Sequence, residues 1–178
     1  MLTNEKIAAI HANAVAHGFW EPGSEPTFGE YCALIHEEIS EAFSAWRKGE
    51  PDEYVVDGKP EGVWVELADV VIRCADILGY FDTDYDDAVV HMYDGTYANI
   101  LHAMQESPVN FICHIGIMHH TVSTAFQDDI KFAKTKSIIV LTFYIYALAE
   151  HNGIDLDAII DRKCAYNATR PWRHGKRM

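Results

Sequence analysis

The chain has 178 residues, of which 49% are hydrophobic, so it is long and apolar enough for one domain with a buried core and is not a disordered chain. A net charge of −13 excludes the basic surface that nucleic-acid duplexes require, so we expect no nucleic-acid partner. The four cysteines form no CxxC pair and no apolar run approaches the roughly 20 residues of a membrane span, so the sequence predicts a cytoplasmic protein without a disulfide framework or a membrane contact.

Three helices are predicted in the first half of the chain, separated by loops rich in turn residues. They cover residues 4–17, 28–48 and 63–81. Thr3 or Asn4 can cap the first helix, and Gly18 stops it. The segment between the second and third helices, "GEPDEYVVDGKPEG", predicts a polar connection.

The second half also predicts helices, and no segment alternates with the period of a strand over a useful length. We expect a short helix from about Asp84, one at about 97–104, one from Pro108 to Phe126, a loop at 127–136, a long helix from Ser137 to His151, and a last helix capped by Asp155. The sequence therefore predicts a single all-α domain, residues 1–178, with a helical-bundle core.

A weak internal repeat predicts that the bundle contains two tandem helical hairpins. "IHEEISEAF" (35–43) is similar to "MHHTVSTAF" (118–126), and "YDDAVV" (85–90) is similar to "DLDAII" (155–160). The second copy, at about 108–160, is degenerate because it keeps none of the first copy's acids: Thr121 replaces Glu38, Thr124 replaces Glu41, Lys136 replaces Glu66 and Ile139 replaces Asp69. Chance similarity between amphipathic helices is the alternative interpretation.

Five acids in the predicted catalytic helices, residues 28–81, form the strongest candidate site: Glu37, Glu38, Glu41, Glu66 and Asp69. The third helix is apolar on nearly every side, and its one polar line carries Arg73 as the single candidate cation for these acids. A buried carboxylate is costly unless it is paired or bound to metal. We therefore predict a Mg²⁺ or Mn²⁺ site with two or more ions, since both cations prefer oxygen ligands.

Two other interpretations of these acids are weaker. Solvated helix faces are the usual explanation for acid pairs at helical spacing, but desolvation makes that explanation expensive in a mostly apolar helix. A ferritin-like di-iron site needs Glu-x-x-His on two helices, and none of the ten histidines has Glu three positions before it.

Three motifs in order resemble the MazG-like all-α nucleotide pyrophosphohydrolases of phages and bacteria, which are related to the dimeric dUTPases. These motifs are "EEISE" (37–41), "ELAD" (66–69) and "KCAYNATRPWRHGK" (163–176). The resemblance covers about residues 16–81 and 155–176. It implies cleavage of a nucleoside triphosphate between its α- and β-phosphates, in the host cytoplasm if the chain is phage-encoded. It also implies a homo-oligomer, a dimer or tetramer, because single-copy relatives build the site between subunits; here the second hairpin is expected to provide that wall.

The resemblance further implies roles for individual residues. Glu38, Glu41, Glu66 and Asp69 would bind the metal directly, and Glu37 would be a further ligand or would orient the attacking water. A tail at about 161–178 would hold the phosphates. Its candidate residues are Lys163, Asn167 and Arg170, which would share one face of a continuing helix, with assistance from Arg173 and Lys176. A solvated basic C-terminus is the alternative for the tail.

The sequence says less about which residues would contact the nucleobase. Trp20 is a candidate for stacking on the base and equally for core packing, and Asn13 is a candidate for hydrogen bonding to the base. Some phage members act on purine substrates, dGTP or dATP. A dUTPase- or dCTPase-like pyrophosphatase and a non-catalytic nucleotide- or metal-binding regulator are the alternatives.

Overall fold

The computed structural model describes residues 1–23, 25–106, 109–127 and 131–175. Its helices are α1 Asn4–Ala16, α2 Phe28–Lys48, α3 Val63–Tyr80, α4 Tyr85–Met92, α5 Ala98–Glu106, α6 Phe111–Gln127, α7 Lys131–His151 and α8 Leu156–Asn167. A π-helical turn, Tyr93–Tyr97, joins α4 to α5, and a 3₁₀ turn, Trp172–Gly175, follows α8. Two short strands, β1 Tyr54–Val56 and β2 Lys59–Glu61, pair antiparallel. The predicted all-α helical bundle is confirmed.

Local sequence signals explain the first helix boundaries well. The Thr3 hydroxyl accepts a hydrogen bond from the Lys6 amide at the start of α1, as expected for a cap. Thr27 and Glu30 cap each other's backbone at the start of α2, and Gly49 ends α2 at a φ of 71°. The predicted bounds of the first three helices therefore agree with the structure to within a residue.

Helix α7 begins at Lys131, so the predicted loop at 127–136 is wrong for most of its length. Sequence periodicity missed this segment because its first turns carry lysines rather than an apolar stripe. Two of these lysines contact rings elsewhere in the fold: Lys131 lies over Phe81 and Lys134 lies over Phe28. Such cation–π contacts stabilise the early turns of the helix. Pro108, the predicted start of α6, lies outside the described residues.

The segment between α2 and α3 forms a β-hairpin, which the sequence analysis treated only as a polar connection. Asp57 and Gly58 both have positive φ angles, 50° and 81°, as a two-residue hairpin turn requires. The Asp-Gly pair is the signal that predicts such a turn. The strands are three residues long, too short for an alternating pattern to reveal them.

Helices α2, α3, α6 and α7 pack around the main core, and α3 is the most enclosed of the four. Helices α2 and α6 lie antiparallel, because Gly29 packs against Phe126 while His36 contacts His119 near the middle. The Nδ1 atoms of His36 and His119 are 2.7 Å apart. These two histidines are aligned with each other in the predicted repeat, and a contact between aligned residues is expected if the two hairpins are related by a two-fold axis.

The two halves of the predicted repeat differ in one insertion. They also differ in the side chains that pack beside α3 in the first half and beside α7 in the second. The repeat offset falls from 83 residues at α2 and α6 to 70 at α3 and α7, and the missing 13 residues correspond to the β-hairpin segment. At the offset of 70, the counterpart of Arg73 is Phe143, a fully buried ring. Tyr85 and Tyr97 approach Phe143 edge-on, with centroids 6.2 and 6.0 Å away. Packed aromatic rings therefore fill the position in the second half that corresponds to Arg73 in the first.

Within the part of the chain that the structure describes, every helix is too short or too polar to pass through a bilayer.

Candidate functional site

A cavity of about 420 Å³ lies between the first half of the chain and the last helix. Its walls come from α1, α2, β2, α3 and α8, together with Phe19 and with Arg170 just beyond α8. None of the described residues between 77 and 160 lines it, so the α6–α7 hairpin does not provide the expected wall. Helix α8, which follows that hairpin in the chain, crosses over to α3 and closes the cavity instead.

Three carboxylates meet at one end of this cavity, where α2 packs against α3. An oxygen atom from each of Glu38, Glu66 and Asp69 lies within 4.8 Å of the others. Glu38 and Glu66 are buried, and Asp69 is partly buried. Glu41 also lines the cavity, one helical turn beyond Glu38. Glu37 is exposed and lies outside the cavity wall, so the structure separates it from the other four predicted acids.

Two cations, the partly buried Arg73 and the buried Lys163, pair with this acidic cluster. The Arg73 Nε atom is 3.1 Å from Glu38 Oε1, and the Lys163 Nζ atom is 2.6 Å from Asp69 Oδ2. Lys163 is only 2% exposed. The expectation that Arg73 is the single cation facing these acids is therefore wrong, because α8 brings Lys163 from far along the chain. The excess of acid is smaller than the sequence alone indicated.

The remaining excess of negative charge centres on Glu66. Burial and the neighbouring charges of Asp69, Glu41 and Glu38 raise the pKa of Glu66 to about 8, although Lys163 opposes this shift. Burial also raises the pKa of Asp69, against the attraction of Lys163. A carboxyl group with such a raised pKa favours a proton or another cation at that position.

The residues of the cluster fit a bound divalent cation. All of the ligand atoms are carboxylate oxygens, which hard cations such as Mg²⁺ and Mn²⁺ prefer. The cluster opens into a cavity, so an ion there could keep water or ligand oxygens on its open side. The protein thus contains a buried acidic cluster that could hold a metal ion.

Lys163 and Asn167 of helix α8 also line the cavity. Asn167 is 9% exposed, and its Oδ1 atom has no hydrogen-bond partner among the described residues. Helix α8 ends at Asn167, so the helix does not continue to Arg170 as expected. Arg170 nevertheless lines the cavity from the turn that follows, with its guanidinium 5.9 Å from the centroid of the Tyr166 ring.

The described part of the tail beyond Arg170 docks on the loop after α1 instead of lining the cavity. The Arg173 side chain donates hydrogen bonds to the Gly18 carbonyl and to Glu21, and its amide donates to the His17 carbonyl. Trp172 packs so closely on Gly18 that a Cβ atom there would lie 2.2 Å from its ring. This tail segment is therefore anchored, although Trp172 is 56% exposed. Lys176 lies outside the described residues.

The two candidates for base recognition lie in different environments. Asn13 lines the cavity from α1. Trp20 is buried and stacked against Tyr80 and Tyr31, with centroids 4.1 and 5.0 Å away. Its indole N–H donates a 2.9 Å hydrogen bond to Asp76. The structure therefore places Trp20 in the core.

Several cavity residues were given no role in the site by the sequence analysis. Asp76 lies on the same polar line of α3 as Glu66, and its carboxylate accepts hydrogen bonds from Trp20 and Tyr31 and lies 2.7 Å from His11 Nδ1. Lys59 on β2 also lines the cavity, as do Lys6 and Asp161. The helical spacing was a signal for Asp76, whereas Lys59 depended on a hairpin that the sequence analysis did not predict.

Comparison of the chain with protein-family models, curated proteins and solved structures found no match.

Proposed function

We propose that this cavity is the active site of a divalent-metal-dependent nucleoside triphosphate pyrophosphohydrolase. The single observation that carries the proposal is the convergence of Glu38, Glu66 and Asp69 within 4.8 Å in a cavity that is also lined by Lys163 and Arg170. Acidic and basic residues in the same cavity suit a substrate that is bound as a metal complex of an anion. A triphosphate with Mg²⁺ or Mn²⁺ is such a substrate.

The volume of the cavity agrees with a ligand of this size. Ligand sites in proteins usually occupy about 300–1,000 Å³, and this cavity has about 420 Å³. The wall of the cavity also includes the apolar side chains of Ile10, Ala14, Phe19 and Ile72. Apolar and charged side chains in one cavity suit a nucleotide, which has a base and a phosphate chain.

The proposed reaction is hydrolysis between the α- and β-phosphates. A water oxygen attacks the α-phosphorus, the bond from that phosphorus to the bridging oxygen breaks, and pyrophosphate leaves with the electron pair. Glu38, Glu66 and Asp69 would hold divalent ions, which when bound would lower the pKa of a water molecule and neutralise the phosphate charge. Glu41, which also lines the cavity, would orient the attacking water and accept its proton.

The basic residues stabilise the charge on the phosphate chain. Arg170 can donate two parallel hydrogen bonds to phosphate oxygens. The Lys163 ammonium has three donors, so it can keep its contact with Asp69 and still reach a phosphate oxygen. Arg73 keeps the Glu38 carboxylate oriented toward the other two acids.

A panel of dNTPs and NTPs with Mg²⁺ or Mn²⁺ tests the proposal, with pyrophosphate and orthophosphate measured separately. We expect a nucleoside monophosphate and pyrophosphate as products, whichever base is preferred. Release of orthophosphate alone would contradict cleavage at the α–β bond. Metal-dependent nucleotide binding without any turnover would instead indicate a non-catalytic regulator.

Glu66→Gln gives the sharpest test of the site, and Glu37→Gln is its matched control. Loss of an outer partner of a metal typically costs about 10–100-fold in activity or affinity, so loss of Glu66 should cost at least about 100-fold in kcat/KM. Glu37 is exposed and outside the cavity, so its variant should keep near wild-type activity. Equal activities of the two variants would remove the acidic cluster from the reaction.

A further inference from the structure

Lys59, on strand β2, is a cation of the cavity wall to which the proposed chemistry gives no role. Its side chain is 39% exposed, compared with 3% for Lys163, so far more of it is open to a ligand in the cavity. The Lys59 Nζ atom lies 2.6 Å from Glu61 Oε1. An ammonium group has three N–H donors, so this contact leaves Lys59 with donors for a further partner.

The charge of Lys59 also acts on the acidic cluster. Burial opposes the shift, but the hydrogen bond with Glu61 and the negative charges of Glu61 and the cluster raise the pKa of Lys59. The side chain therefore stays protonated at neutral pH. In turn, the positive charge of Lys59 opposes the rise in the pKa of Asp69 that burial causes. A cation that interacts with these acids is also in range of an anion held by metal ions among them.

The ion pair between Lys59 and Glu61 is weak enough to be exchanged. Residues two apart in a strand lie on the same side of it, so the pair forms from local geometry alone. Both side chains are partly exposed, 39% and 24%, and ion pairs of this kind contribute little to stability. Lys59 can therefore share its donors with a phosphate oxygen, or turn to it from Glu61, at a small cost in free energy.

The β-hairpin itself is fixed at its base. Gly62 has a φ of 122°, and a Cβ atom there would lie 2.7 Å from the carbonyl oxygen atoms of Pro51 and Asp52. Arg162 of α8 donates hydrogen bonds from Nε and Nη2 to the two carboxylate oxygens of Glu53, at 2.6 and 2.5 Å. Helix α8, which lines the cavity, thus also holds the hairpin beside it.

We propose that Lys59 contacts the phosphate chain of the substrate, and that the ion pair between Arg162 and Glu53 positions the β-hairpin that carries it. This inference rests on the proposed function, since it assumes that a polyphosphate held by metal ions occupies the cavity. Lys59 is then a substrate-binding residue and Arg162 a positioning residue. Because Lys59 acts through its charge on the phosphates, its contribution does not depend on the base.

Calorimetry with saturating Mn²⁺ tests the contact with two probes, inorganic tripolyphosphate and the α,β-methylene deoxynucleoside triphosphate that binds best. Lys59→Met should weaken both about tenfold and by equal factors, since a hydrogen bond to a charged group is lost. Lys59→Arg should restore part of the binding, because it keeps the charge. Mn²⁺ alone should bind Lys59→Met at least as tightly as the wild type, because a positive charge near the acids has been removed.

Lys48→Met is the matched control for Lys59→Met. Lys48 also pairs with a carboxylate two residues later, Glu50, but it lies outside the cavity wall, so its loss should change no binding constant. Weaker binding of the nucleotide analogue alone would overturn the proposal by assigning Lys59 to the nucleoside. Unchanged binding of both probes, weaker binding of Mn²⁺ alone, no recovery with Lys59→Arg, or a wild type that binds neither probe would each overturn it as well.

Arg162→Met tests the positioning role through a double-variant cycle. The Arg162 side chain is 50% exposed, so the variant should fold. It should weaken both probes by no more than Lys59→Met does, and combining the two should cause no further loss, because the effect of Arg162 runs through Lys59. Losses that multiply, or no effect of Arg162→Met, would overturn the positioning role.

These measurements separate this inference from the proposed hydrolysis, because the probes need not be hydrolysed. Lys59-dependent binding in a protein that releases no pyrophosphate would refute only the hydrolysis. Unchanged binding by Lys59→Met, when the wild type does release pyrophosphate, would refute only the role of Lys59.

Discussion

Among the acids of the cavity, Glu66 has the largest consequence for how the protein responds to pH. The pKa of Glu66 is raised from an ordinary 4.5 to about 8, mainly by burial and by Asp69. The folded protein therefore holds this proton more tightly than the unfolded chain does. The stabilisation that comes from this proton is fully present below the pKa of Glu66 in the unfolded chain. It is lost as the pH rises toward 8.

We accordingly predict that, with a chelator present, Glu66→Gln has a higher melting temperature than the wild type at pH 8. For a chain of this length, each 1 kcal/mol corresponds to about 2–4 °C. The difference in melting temperature should become smaller toward about pH 5, because the Glu66 carboxyl group of the folded wild type is protonated there. Thermal scans across this range measure it, with Glu37→Gln as the control. Identical melting temperatures at pH 8 would show that the carboxylate of Glu66 is not repelled by its neighbours.

The buried pair of Asp69 and Lys163 leads to a second prediction at the scale of single residues. Lys163→Met should destabilise the protein by about 3–5 kcal/mol, because it leaves the Asp69 carboxylate buried without its partner. The double variant Lys163→Met with Asp69→Asn should recover most of that loss. Urea unfolding measures both.

The matched control for this pair is Lys48→Met. Lys48 is 66% exposed and pairs with Glu50 at 3.4 Å, so its loss should change stability by less than about 1 kcal/mol. A similar cost for Lys48→Met and Lys163→Met would contradict the burial and pairing described for Lys163.

At the scale of elements, α1 is positioned against α3 by the lack of a side chain at Gly79. A Cβ atom at Gly79 would lie 2.6 Å from the His11 Cβ atom, which cannot rotate away. This close approach lets His11 reach Asp76 and sets Asn13 in the cavity wall. This close approach is one of the contacts that fix α1, beside the pairs of Lys6 with Asp157 and Asp161.

Two glycine substitutions in helices should consequently have opposite effects. Gly79→Ala should destabilise the protein by about 1–3 kcal/mol, because α1 must move away from α3. Gly116→Ala on α6 faces open space and should stabilise it by about 0.5–1 kcal/mol through the higher helix propensity of alanine. Urea midpoints for the two variants test this contrast; a stabilising Gly79→Ala would mean that α1 is not held closely.

For the molecule as a whole, the internal repeat predicts one site per chain. The counterpart of Arg73 in the second half is Phe143, whose ring is enclosed with Tyr85 and Tyr97, and Ile139 replaces Asp69. Titration of the protein with Mn²⁺ and a non-hydrolysable nucleotide should therefore give a stoichiometry of a single nucleotide per chain. Two equivalent nucleotides per chain would show that the second half also binds.

The sequence predicted the bundle and the acidic cluster because both depend on short-range spacing. Glu38 and Glu41 share a helix face, and Glu66 and Asp69 share another, so pairing two adjacent helices was enough to bring them together. The pairing of Lys163 with Asp69 could not be predicted, since it depends on which helix α8 packs against after the whole second hairpin has folded. The core position of Trp20 likewise depends on partners contributed by α2 and α3.

The ion pair between α3 and α8 also governs when the cavity is completed during synthesis. During synthesis, α3 emerges from the ribosome well before α8, because the whole α4–α7 segment is translated between them. Until α8 docks, Asp69 lacks its ion-pair partner Lys163, and the acids of the nascent chain would repel one another more strongly than in the finished fold. A divalent ion held by Glu38, Glu66 and Asp69, as proposed above, would offset that repulsion, so added divalent metal should raise the yield of folded protein.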